Sequence, residues 1–206
     1  MGEITAITPQ VKDKNRCNVF VDGRFYCGLT IETAVKSRLK VGQTVTEEFL
    51  SQLQLESEKN VALDKALTHV SATQKTEKQV RDFLAKKGYL SAVIEYVVEK
   101  MRSYRFLDDA SYAENYVRGA GKKKGGRLIK MELRAKGVSD EDAERAVEGI
   151  TEEEQLQTAR AIAEKYMRGK TPDTETLQKA YRRLLSRGFD YETAKSALSA
   201  YRETGD

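Results

Sequence analysis

The chain has 206 residues, 33% of them charged and 39% hydrophobic, with a formal net charge of +4 and a single histidine. That balance is polar for one thick-cored globule and suits small helical units with much solvated surface; the lone His69 excludes histidine-based triads and multi-histidine metal sites within one chain. No apolar run reaches the roughly 20 residues that cross a bilayer, and MGEITAITPQ has neither the basic nor the apolar part of a secretory leader, so a cytoplasmic protein with no membrane partner, no metal, no cofactor and no catalytic residues is expected.

Residues 3 to 29 read as a small antiparallel sheet. Ile4, Ile7 and Val11 mark a first strand, and VFVDGRFYCGL reads as a hairpin turning at Asp22-Gly23. Pro9 fits an edge position or a bulge. Pairing Val21 with Arg24 sets Asn18 opposite Cys27, so Cys17 and Cys27 are expected on opposite faces, as free buried thiols. From Thr30, which leads into IETAVKSRL, the pattern is helical. Thr46 is placed to cap EEFLSQL, with a continuation through VALDKALTHV.

The remainder repeats itself. Gly88, Gly137 and Gly188 recur about every 50 residues, each four residues after a leucine (Leu84, Leu133, Leu184) and directly after a cation (Lys87, Lys136, Arg187). Tyr89, Val138 and Phe189 follow them, then Ile94, Ala143 and Ala194. Each repeat predicts a helix, a left-handed glycine stop and a second helix, with Ser91, Ser139 and Asp190 as caps. A third helix is expected after the first pair, entered at Asp108 and Asp109 through SYAENYVR. Another is expected after the second pair, where Thr151 and Glu154 suit a capping box before QLQTARAIAEKYMR. Such three-helix units have helix-turn-helix character.

Charge is distributed in blocks. Every charged residue from Arg118 to Lys136 is basic except Glu132, and every one from Asp140 to Glu154 is acidic except Arg145. At the head of the basic block stands GAGKKKGG, residues 119 to 126. It is no nucleotide cradle. A phosphate-binding loop needs a glycine, four intervening residues and then Gly-Lys-Ser/Thr, with a preceding strand; here that first glycine position is Tyr116, Lys123 stands for Ser/Thr, and a helix precedes. GAGKKKGG is expected to be a flexible connector. Its Lys122, Lys123 and Lys124, with a stripe of Arg127, Lys130 and Arg134 on the next helix, are candidates to neutralise nucleic-acid phosphates. Leu128, Ile129, Met131 and Leu133 are expected on the packing side of that helix. Arg182, Arg183 and Arg187 form a second basic cluster. Asp108 and Asp109 read as helix caps rather than paired catalytic carboxylates. Tyr112, Tyr116 and Phe106 read as bundle core rather than a base-stacking platform.

Three segments in combination, RFLDDASYAENYVR, GGRLIKMELRAKG and RRLLSRGFDYETAKSAL, resemble the RecX family of bacterial recombination regulators. The resemblance covers about residues 60 to 203, with the strand region similar to an extension that some longer members carry. It implies a mainly α fold of tandem three-helix repeats in an elongated arrangement, with a small N-terminal antiparallel sheet. The expected segments are 1–58 (hairpin and helix extension), 59–121, 122–170 and 171–206 (three repeats, the last truncated). It further implies a monomeric, non-enzymatic protein that binds the RecA filament, touches single- and double-stranded DNA through its backbone, and modulates, with inhibition expected, RecA's ATPase and strand exchange. Two other readings stand beside it: a sequence-specific helix-turn-helix repressor, and an adaptor that meets acidic proteins.

Overall fold

The computed structural model describes residues 1–202. The chain is mainly helical behind a small antiparallel sheet, and it divides into two compact units. One comprises Met1–Thr73 with Val80–Leu107; the other comprises Gln74–Gln79 with Asp108 onward.

In the first unit, β1 (Gly2–Pro9), β2 (Arg16–Val21), β3 (Arg24–Thr30) and β4 (Thr44–Val45) are ordered β3-β2-β1-β4. The hairpin turns as expected, with positive φ at Asp22 (48°) and Gly23 (74°), the geometry that matches strand twist. The cysteine expectation is corrected. A bulge between Val19 and Phe20 moves the register by one, so Val19 rather than Asn18 faces Cys27. Because strand side chains alternate, that single step puts Cys17 and Cys27 on the same buried face, with Ile4, Val19 and Leu29. Burial pushes both thiols up, Cys27 to about 11 with its neighbour Cys17 adding to the effect. Val11 lies past β1 and is exposed. Pro9 ends β1, beyond Gly2 and Glu3, the positions that β4 pairs.

Thr30 and Thr46 cap α1 (Ile31–Lys36) and α2 (Glu47–Ala72), accepting from the N–H groups of Thr33 and Phe49. α2 serves two cores. Leu50 and Leu53 lie under the sheet, while Ala62 and Ala66 pack with Val80 and Leu84 of α3 (Glu77–Lys86) and Val93, Val97 and Met101 of α4 (Ser91–Ser103). Burying each of the valine, leucine and methionine side chains contributes roughly 1.5 to 3 kcal/mol.

In the second unit, α5 (Asp109–Ala120), α6 (Gly126–Ala135) and α7 (Asp140–Glu148) enclose Ala113, Ile129, Leu133, Val138 and Ala143. A separate core of Ala159, Ala163, Leu184, Phe189 and Ala194 joins α8 (Glu152–Met167), α9 (Thr174–Ser186) and α10 (Tyr191–Ala197). The single turn α11 (Ser199–Arg202) follows. The packing thus groups the helices differently from the expected order: α5 joins the pair that follows it rather than the pair before, and so does α8. Tyr112, Tyr116 and Val117 of α5 turn toward the second core, and Leu156, Ile162 and Tyr166 of α8 toward the third.

The glycine repeat is as expected. Leu84, Leu133 and Leu184 are fully buried, and Gly88, Gly137 and Gly188 have φ of 84°, 94° and 89°. In each turn the glycine N–H returns to the third residue before it. The next N–H returns to the leucine carbonyl, the closure that a left-handed residue allows. Ser139 and Asp190 cap as expected, and Thr151 with Glu154 forms the capping box. Ser91 does not cap: it is the first helical residue, and Leu90 takes the cap position without a side-chain bond.

Candidate nucleic-acid interface

Asp108 and Asp109 start two different helices. Asp108 accepts from Ser111 N at 2.9 Å and caps α5, whereas Asp109 accepts from Glu77 N at 2.9 Å, at the first residue of α3. Burial, ahead of its neighbouring acids, raises the Asp109 carboxyl above its ordinary range.

GAGKKKGG is a pinned strap rather than a flexible connector. The N–H groups of Gly121, Lys123 and Lys124 complete the end of α5 by bonding Val117 and Ala120 carbonyls. The strap then docks on the last glycine turn: Gly125 N donates to Arg187 O at 2.9 Å and Arg127 N to Gly188 O at 3.2 Å. A Cβ on Gly125 would strike the Gly188 and Phe189 backbone, and one on Gly188 would strike Leu128. These glycines permit backbone approach.

Five of the six candidate cations separate into two sets, and Arg127 joins neither. Lys124 is held by both oxygens of Glu132, at 2.5 and 2.7 Å, and Tyr116 Oη donates to the same carboxylate at 2.7 Å. Burial works against ionisation of Glu132, but hydrogen bonds from Lys124 and Tyr116 outweigh it and hold the carboxyl below its usual range. The same carboxylate raises Lys124. Lys130 pairs with Glu144 and Arg134 with Asp140, both at 2.6 Å. The acidic residues of α7 therefore pair with two of the three cations of the α6 stripe, Lys130 and Arg134. Arg127 is exposed. Met131, expected on the packing side, is 60% exposed.

Lys122 and Lys123 point elsewhere. They line a cleft of about 590 Å3 together with Lys165 and Arg168 at the end of α8, Lys170 after it, and Arg183 and Arg187 of α9 and its cap. Arg187 Nη1 donates to Lys123 O at 3.4 Å, which ties the strap to this wall. Tyr166 lies among the cations, with the Lys170 ammonium 3.3 Å and the Arg183 guanidinium 5.6 Å from its ring centroid. Among the described residues the cleft lining contains no carboxylate; Glu164, 4.0 Å from Arg168, forms an exposed pair beside it. The strap thus brings Lys122 and Lys123 together with Arg183 and Arg187 from the second cluster. Arg182 does not join them and lines a separate cleft with Thr174, Gln178, Tyr181, Tyr191 and Arg202.

Sequence reasoning missed Lys165, Arg168, Lys170 and Tyr166. Their signal was present in EKYMRGK, a basic helix end. A concave wall of one charge sign focuses potential and attracts anions, and guanidinium and ammonium groups are donors suited to phosphate oxygens.

Four family profiles match the chain: the regulatory protein RecX N-terminal domain at residues 2–46, and the first, second and third three-helix domains of RecX at 62–101, 108–147 and 152–198. The strand region is therefore a family domain in its own right, which extends the resemblance drawn from residues 60 to 203. The regulatory protein RecX of Clostridium perfringens (strain 13 / Type A) is 34% identical over 202 residues, covering 96% of this chain and 95% of the relative. A crystal structure of regulatory protein RecX superposes with a TM-score of 0.74 at 25% identity, covering 98% of this chain and all of that one. RecX from Lactobacillus salivarius superposes with a TM-score of 0.65 at 27% identity, over 71% of this chain and 97% of that one. With tandem three-helix units behind an N-terminal sheet, and near-complete coverage by these relatives, the chain belongs to the RecX family of regulatory proteins.

Proposed function

We propose that this chain regulates the RecA recombinase by binding the RecA filament on DNA, that it seats DNA phosphates in the cleft walled by Lys122, Lys123, Lys165, Arg168, Lys170, Arg183 and Arg187, and that it thereby lowers RecA's ATPase and strand-exchange rates without chemistry of its own. The observation that carries the DNA contact is the cleft lining: among the described residues it holds seven cations, one aromatic ring and no carboxylate. Family membership supports the regulatory role. Phosphate contacts position a protein without reading sequence, which suits a regulator that must act wherever a filament forms.

Charge reversal at Lys122 and Lys123 (K122E/K123E) tests the contact. Affinity for an oligo-dT strand falls, and the slope of log affinity against log salt flattens by roughly 0.7 for each phosphate that is no longer neutralised. R182E, which lies outside the cleft, leaves that slope unchanged. An unaltered slope in K122E/K123E removes the cleft assignment. Selection of one sharp duplex sequence by the wild-type chain would favour a helix-turn-helix repressor instead.

A further inference from the structure

In the first unit, α4 closes in an unusual way. Tyr104 N bonds Lys100 O at 3.1 Å, Arg105 N bonds Arg102 O at 2.9 Å and Phe106 N bonds Met101 O at 2.8 Å. This is the closure of the three glycine turns, but the left-handed position is held by Arg105, with φ of 59°. A non-glycine residue there carries strain, which structures often retain where a side chain has work to do.

The residue after the left-handed position normally turns inward, as Val138 and Phe189 do at 4% and 1% exposure. Phe106 holds the equivalent place and is 52% exposed, beside Tyr104 at 61%. The expectation that Phe106 belongs to the core is therefore corrected; the next residue, Leu107, fills the core in its stead. The two rings meet edge to face with centroids 6.5 Å apart. The Lys100 ammonium lies 5.3 Å from the Tyr104 centroid, and Arg102 and Arg105 interleave with the aromatics in the sequence.

Two large exposed rings rimmed by cations match a ligand that is flat and apolar at its centre and anionic at its edge. We infer that Tyr104 and Phe106 form a stacking platform for unpaired bases of a single-stranded nucleic acid, with Lys100 and Arg105 placed for the flanking phosphates. Every base offers a π-face, so such a platform binds single strands with little sequence preference. In duplex DNA those faces are stacked and out of reach. The inference rests on the nucleic-acid reading of the basic cleft and adds to it a preference for single strands.

The test compares the full chain with its Y104L/F106L and K122E/K123E variants on two fluorescent oligomers with equal numbers of phosphates, oligo-dT and an abasic strand. The wild type is expected to bind oligo-dT more tightly than the abasic strand. Y104L/F106L is expected to lose about tenfold in affinity for oligo-dT with its abasic affinity and salt slope unchanged, and Y104F is expected to behave as wild type. K122E/K123E is expected to weaken both strands. The platform is overturned, with the cleft left standing, if Y104L/F106L binds oligo-dT as the wild type does, or loses both strands equally. An altered effect on RecA with DNA affinity intact also overturns it and marks the rings as a protein-docking face. If the wild type binds neither strand at low salt, both readings fall together.

Discussion

A methyl group added at Gly188 has no room. Its φ of 89° lies where L-residues are strained, and the Cβ would meet the Leu128 backbone and side chain. Gly88 shares the left-handed geometry, with φ of 84°, but its Cβ would meet nothing within 4 Å. Gly88→Ala should therefore cost about 1 kcal/mol from conformation alone, and Gly188→Ala about 2 to 4 kcal/mol once overpacking is added. Urea unfolding of the two variants checks this; equal shifts would contradict the docked strap. At this scale the sequence shows that a glycine is needed for turning, because the leucine, the cation and the spacing are local. It does not show which glycine also carries a neighbouring backbone. The same limit applies to the cations: Lys122 and Lys124 look alike in a lysine run, and only the fold shows that Lys124 belongs to Glu132.

Helix ends were the most legible elements, because a cap is written within four residues. Thr151 and Glu154 satisfy each other's end of the box, so Thr151→Ala should cost about 1 kcal/mol. Ser91 stands one place inside its helix, after Leu90, and Ser91→Ala should stay within about 0.5 kcal/mol of the parent. Calorimetric melting of the pair checks the contrast, and equal losses would place Ser91 at the cap after all. The bulge at Tyr26 of β3, opposite Val19 and Phe20, was not legible: alternation is visible in a sequence, but the residue at which a partner strand skips is settled by packing. Nor was the grouping of α5 and α8. Each has an apolar face that would suit either neighbouring pair, and nothing local says which one it covers.

For the molecule as a whole, the three-helix units were legible and the binding surface only partly so. Periodicity and glycine spacing define repeats, and charge runs show where cations are plentiful. A run does not reveal which cations are already paired. Glu144 and Asp140 neutralise Lys130 and Arg134, whereas the end of α8, an ordinary helix terminus by sequence, completes a cationic wall with the strap and α9. The proposed control of RecA runs through that wall. It is tested most directly by titrating the full chain, and a K122E/K123E/R183E variant, into RecA's DNA-dependent ATPase and strand-exchange reactions. Both rates should fall progressively with the wild-type chain, and the variant, with fewer cations to neutralise phosphates, should require at least about tenfold more protein for the same effect. No change in either rate at any ratio of wild-type chain to RecA would contradict the proposed role.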